Sequence, residues 1–182
     1  MKAISLQQLR AEAKRQLLQY RRNHSRVYRS NAIRAEGGTM LAWMRAIDSA
    51  RVYLRALNPV KERCMCRLFG LEAPLPRSQP MRARMMHLSA EMSVSESTLY
   101  KWQEDILEIV LYAAMEAGVV KIVSSLYIAG NIDGALGIGG LQNSRMASAA
   151  MRALPVGVPK LILSTVACGN RPFELLVGDK DI

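Results

Sequence analysis

Apolar residues recur at steps of three and four along most of the first 118 positions, and the rhythm breaks where glycine or proline falls. Leu6, Leu9, Ala13 and Leu17 share one face of a first helix. Arg10, Lys14, Arg15, Arg21 and Arg22 crowd the same stretch, either as a basic arm on phosphates or as the solvated face of a tethering helix. Asn23–Gly38 has no clear period and reads as a loop or frayed link. Met40, Trp43, Ile47, Ala50, Leu54 and Leu57 predict a second helix over Thr39–Leu57, with Gly38 or Thr39 at its cap and Trp43 in its core stripe. Asn58-Pro59 opens a third helix, a capping residue followed by proline at the first helical position. Gly70 closes it. Pro74, Pro76 and Pro80 make Leu71–Pro80 an extended connector.

A pair of helices follows. The first runs over Met81–Glu91, Met92-Ser93-Val94-Ser95 is a tight turn, and Ser95 caps the second. Leu88, Met92, Val94, Leu99 and Trp102 fall where a helix-turn-helix needs apolar contacts, small Ser89 sits at the helix crossing, and Ser93 stands where glycine is usual. The unit occupies residues 81–112. Ser95, Glu96, Ser97, Tyr100 and Lys101 face outward at the start of its second helix, where base edges are reached. Arg77, Arg82 and Arg84 suit phosphate contacts. The alternative is a plain helical core. Beyond the turn, Leu99, Trp102, Ile106, Ile109 and Ala113 form one stripe. Leu107, Leu111 and Met115 form a second, which asks for the C-terminal segment or for a second copy of the chain through Leu99–Ala117.

From Val119 the texture changes. Ile122–Ile128 reads as helical, Asp133-Gly134 as a turn and Ala135–Ile138 as a short buried strand. The glycine-rich run Gly137-Ile138-Gly139-Gly140 leads to a helix capped by Ser144 and running to Leu154, with Met146, Ala149, Ala150 and Leu154 inward. Pro155, Gly157 and Pro159 end it, and Lys160–Val166 is a second strand. Strand, glycine loop, helix and strand make a right-handed βαβ unit. Such a turn at a helix N-terminus holds phosphate, so Gly137, Gly139, Gly140 and Ser144 are candidate ligand-binding residues. Leu141, Gln142 and Asn143 stand where further small residues would open the backbone, and the loop is neither a P-loop nor a dinucleotide fingerprint. A purely structural glycine turn is the other reading. Two parallel strands cannot bury both faces of a sheet alone.

Charge sharpens the division. The formal net charge is +10, yet Met1–Tyr112 holds 19 Lys and Arg against 10 Asp and Glu, and the remainder only 6 against 5. The basic part is the part with the helix pair, which points to a polyanionic partner. Three cysteines (Cys64, Cys66, Cys168) and two well-separated histidines make a poor zinc set, and buried reduced thiols fit a cytoplasmic protein. No apolar run reaches membrane-spanning length, and the first residues lack the apolar run expected of a signal peptide. Paired carboxylates and nucleophile–base sets are absent, so an enzyme is not expected.

Two resemblances add to this reading. Arg63–Gly118, through RLFGL, the proline link and VSESTLYKW, resembles small phage-related transcriptional regulators of Firmicutes, whose helix-turn-helix is like region 4 of sigma factors and to which phage ArpU-type late regulators are similar. That resemblance implies a sequence-specific regulator of double-stranded DNA. Ile122–Asn170, through AAMRALPVGVPKLILSTVACGN, resembles an α/β family related to a tobamovirus-resistance protein of tomato. That resemblance implies an ATP-binding domain, although the loop after Gly140 is poorer in Gly and Thr than the family's pattern. Together they imply a chimera joined near Glu116–Lys121.

The expected fold is mainly α: a basic helix and link over 1–38, a helical domain over 39–118, and a partial α/β segment over 119–182. The expected function is DNA-binding regulation without a cofactor. The alternatives are an ATP- or phosphate-binding fragment using Gly137–Ser144, and a non-catalytic dimerising module.

Overall fold

A computed structural model describes residues 5–29, 37–75 and 80–165. Its elements are α1 (Leu6–Arg29), α2 (Gly37–Leu57), α3 (Pro59–Phe69), α4 (Met81–Met92), α5 (Glu96–Ile128), β1 (Ala135–Gly139), α6 (Leu141–Arg152) and β2 (Lys160–Ser164). The protein is mainly helical, with a short two-stranded parallel sheet towards its C-terminus. No helix among the described residues is long and apolar enough to cross a membrane. The chain divides into two compact units, Met1–Ala114 and Met115–Ile182. The first therefore includes α1, the basic helix that the sequence pattern sets apart with its link over 1–38.

The core of the first unit follows from the apolar periods. Leu17 of α1, Ile47 and Leu54 of α2, Leu68 and Phe69 of α3, Met85 of α4, and Leu99, Ile106 and Val110 of α5 are almost wholly buried in one cluster. Met40, Trp43, Val94 and Trp102 pack on its margin. The local signals act as their chemistry dictates. Asn58 Oδ1 accepts the Lys61 N–H at 2.9 Å, Pro59 occupies the first turn of α3, and Gly70 ends it in the left-handed region.

Two expectations about α1 and α5 need correction. Asn23–Arg29 is not a loop but the last two turns of α1. Asn23 is buried because its amide donates to Gln16 Oε1 at 3.3 Å, and Gln16 in turn donates to Glu12 at 2.7 Å. A polar ladder thus continues the inward face after the leucines stop. In α5, Leu107 and Leu111 of the second stripe are buried within the chain, and only Met115 is left well exposed. The helix then continues without interruption through Glu116–Lys121 to Ile128.

In the second unit β1 and β2 pair in parallel, with Ala135 opposite Lys160 and Gly139 opposite Ser164. Helix α6 crosses between them and covers one face. Its inward line is Ser144, Ser148 and Met151, with Ala150 and Leu154, rather than the line through Met146 and Ala149. The opposite face, made of Leu136, Ile138, Leu161 and Leu163, is more than half exposed at every position.

Candidate functional site

The turn between α4 and α5 has the expected geometry. Ser93 takes the left-handed conformation (φ 53°), and its N–H and that of Val94 both reach the Ser89 carbonyl. Ser95 Oγ accepts the Thr98 N–H at 3.2 Å and lies within 3.0 Å of the hydroxyls of Ser97 and Thr98. The Ser95 hydroxyl is thereby engaged in capping, and the Ser97 hydroxyl is bonded to it. Glu96, Tyr100 and Lys101 are exposed, but Glu96 places a carboxylate in the first turn, where it repels phosphate. Arg82 is exposed. Arg84 instead lines a cavity between α3 and α4. Arg77 lies outside the described residues.

A second cluster was not foreseen. Glu62 is buried on α3, where it accepts from Arg51 Nε at 3.2 Å, from Arg55 at 3.1 Å and from the Cys66 thiol at 3.3 Å. Arg51 also reaches Glu72, at 2.5 Å. Burial alone would raise the Glu62 carboxyl, but the bonds from Cys66, Arg51 and Arg55 outweigh it and hold the group below the usual carboxylate range. Glu62, Cys66 and Glu72 lie within 4.8 Å of one another, the spacing of a metal cage. Two guanidinium groups already neutralise that cage. Burial pushes the Cys66 thiol up to about 12 and Cys64 to about 11, so neither offers a thiolate near neutral pH. Cys168 lies outside the described residues.

The third place is the turn from β1 into α6. The four glycine-loop candidates separate into distinct roles there. Gly137 faces α6, and a Cβ on it would strike Ala147 Cβ, so it is a packing glycine. Gly139 (φ 150°) makes the turn, and a Cβ there would lie 2.7 Å from Asn143. Gly140 is the extended N-cap residue of α6, which receives no side-chain cap. Ser144 is therefore not the cap. It sits one turn inside α6, almost fully buried, with Oγ 2.8 Å from Ser164 Oγ and 3.4 Å from the Gly139 carbonyl. It ties the helix to the ends of both strands.

This turn lies at the carboxyl ends of two parallel strands, where open α/β sheets take their ligands. The first hydrogen bond recorded at the start of α6 is from the Ser144 N–H to the Gly140 carbonyl, at 2.9 Å. The preceding N–H groups of the helix have no acceptor within it. No acidic side chain stands in the first turn. The Thr165 N–H bonds the Gly139 carbonyl at 3.1 Å and fixes the second strand end beside the turn. Ser164 and Thr165 carry no motif of their own in the sequence. Two hydroxyl residues directly after the apolar run Leu161-Ile162-Leu163 were the available signal.

Comparison with known proteins decides between the two resemblances. The profile of the N-terminal domain of the uncharacterised protein family UPF0261 matches residues 77–182, more than half of the chain. A UPF0261 protein of Clostridium tetani is 45% identical over 69 residues, covering 37% of this chain and 16% of that protein. The tomato (Solanum lycopersicum) ToMV resistance protein Tm-1(GCR237) and ToMV susceptible protein tm-1(GCR26) are each 42% identical over 52 residues, covering 29% of this chain and 7% of theirs. The chain thus spans less than a fifth of the length of these relatives. No solved structure matches. The matched residues 77–182 include the whole of Leu88–Trp102 and of Glu116–Lys121. The reading of the helix pair as a sigma-like or ArpU-type DNA-binding unit is therefore overturned, and so is the chimera joined at that point. The chain belongs to UPF0261, through the N-terminal domain of that family.

Proposed function

We propose that the second unit binds a phosphate-bearing small molecule of the nucleotide class at the turn from β1 into α6. The observation that carries this reading is the uncapped start of α6 directly after two consecutive glycines at a strand end. Main-chain N–H groups and the positive end of the helix favour an anion there. Gly140 adds no side chain at the helix start, while Gly139 makes room for the Asn143 side chain. Ser144 acts indirectly by holding Gly139 against Ser164. Recognition is through the backbone, so the phosphate is the shared feature of acceptable ligands, and ATP and inorganic phosphate are suitable probes.

The test exploits proline's tolerance at the first position of a helix. Gly140 is already in the extended conformation that a following proline requires. Leu141→Pro should therefore keep the fold while deleting one N–H donor. We expect millimolar ATP or phosphate to raise the unfolding temperature of the full chain. Leu141→Pro should weaken that binding roughly tenfold, the effect of one charge-assisted hydrogen bond. Absence of any thermal shift with either probe would dismiss the reading.

A further inference from the structure

A cavity of about 570 Å³ lies in the helical unit, far in sequence from the turn just described. Arg63 and Arg67 from α3 and Arg84 from α4 line it, facing Glu72 and Glu91. The charges do not cancel. Glu91 is held by Arg67 at 3.1 Å, and Glu72 by Arg51 at 2.5 Å. Arg63 and Arg84 are left with no carboxylate partner among the described residues. The Nε of Arg84 is buried and has no acceptor among the described residues. A buried guanidinium N–H without an acceptor is costly, and native structures seldom keep one. Leu75 and Leu88 supply apolar wall to the same cavity.

We infer that this cavity is a binding site for a small organic oxyanion, a carboxylate or phosphate carried on an apolar body. Arg84 is the anchoring donor. The planar fork of its guanidinium suits both oxygens of such a group, which a lysine ammonium cannot engage in the same way. Arg63 adds the second positive charge. The apolar wall takes the rest of the ligand, as in most small-molecule sites. The site was not legible in the sequence, because only the packing of α3 beside α4 brings Arg63 and Arg84 to one cavity.

Benzoate and phenyl phosphate are the probes, and benzamide is the neutral control. The full chain is titrated with each while the Arg84 Nε–Hε resonance is followed by NMR. Both anions should shift that resonance saturably, benzamide should not, and Arg84→Gln should weaken binding roughly tenfold or more. Arg84→Lys keeps the charge and removes the fork, so it should retain only part of the affinity. Leu141→Pro should leave benzoate binding unchanged, which separates this site from the turn at α6. No saturable shift up to tens of millimolar benzoate would overturn the inference. So would an equal response to benzamide, or unchanged affinity in Arg84→Gln.

Discussion

Ser93 is the one described residue other than glycine that holds a positive φ. An L-residue in that region strains its Cβ against the backbone, and glycine does not. Its N–H still completes the end of α4 by bonding the Ser89 carbonyl, so the conformation is imposed by the turn. Ser93→Gly should therefore stabilise the helical unit by about 0.5–1 kcal/mol, less whatever entropy glycine adds to the unfolded chain. Asn58→Ala should move the other way by about 1 kcal/mol, because it leaves the Lys61 N–H without its cap. Urea unfolding of the two variants checks both signs. A destabilised Ser93→Gly would mean that the serine side chain holds the turn in a way its backbone geometry does not show. Cys64 and Cys66 teach the same lesson in reverse. Their C-x-C spacing invites a chemical role, but burial raises both thiols far above neutral pH.

At the scale of elements, α2 and α3 are joined by the Arg51–Glu62–Arg55 group. Glu62 is held below its ordinary pKa in the folded chain. In the unfolded chain it binds a proton more readily. Its contribution is therefore fully present above the unfolded value and is lost as pH falls through the folded one. Stability should decline from about pH 5 downward, and Glu62→Gln should flatten that decline while lowering stability at neutral pH. Urea midpoints across the acid range would show it, and an unchanged acid slope in the variant would rule it out. The helices themselves were largely legible, because Asn58, Pro59, Gly70 and the apolar rows each specify one local outcome. The failures have physical causes. The end of α1 was hidden because Gln16 and Asn23 are polar residues on the inward face that satisfy each other. The start of α6 differs from the sequence pattern because extended Gly140, and not a capping serine, begins the helix. The role of Gly137 was invisible because only the three-dimensional approach of Ala147 distinguishes a packing glycine from a loop glycine. The sequence pattern also favoured a regulator at the α4–α5 turn, because two short helices locked by a tight turn look alike whether they read DNA or build a core.

For the whole molecule, the two units differ in how completely each encloses its own apolar surface. The buried cluster of the first unit draws all its members from Ala13 to Val110, so nothing after Ala114 is needed to close it. The second unit covers one sheet face with α6 and leaves Leu136, Ile138, Leu161 and Leu163 more than half exposed on the other. Two strands and one helix bury too little to be stable alone, and exposed apolar strands invite association. The chain also spans only a small share of its relatives' length, so a covering layer for this face has room elsewhere in such proteins. Cutting the chain after Ala114 should then give unequal halves. Met1–Ala114 should unfold cooperatively in urea with native near-ultraviolet dichroism. Met115–Ile182 should be loosely packed or associated, with a broad transition. Ligand should sharpen that transition if the α6 turn binds phosphate, since binding only the folded form stabilises it by mass action. A monomeric second fragment with a sharp transition of its own would show that residues 115–182 suffice, and that the exposed face needs no cover.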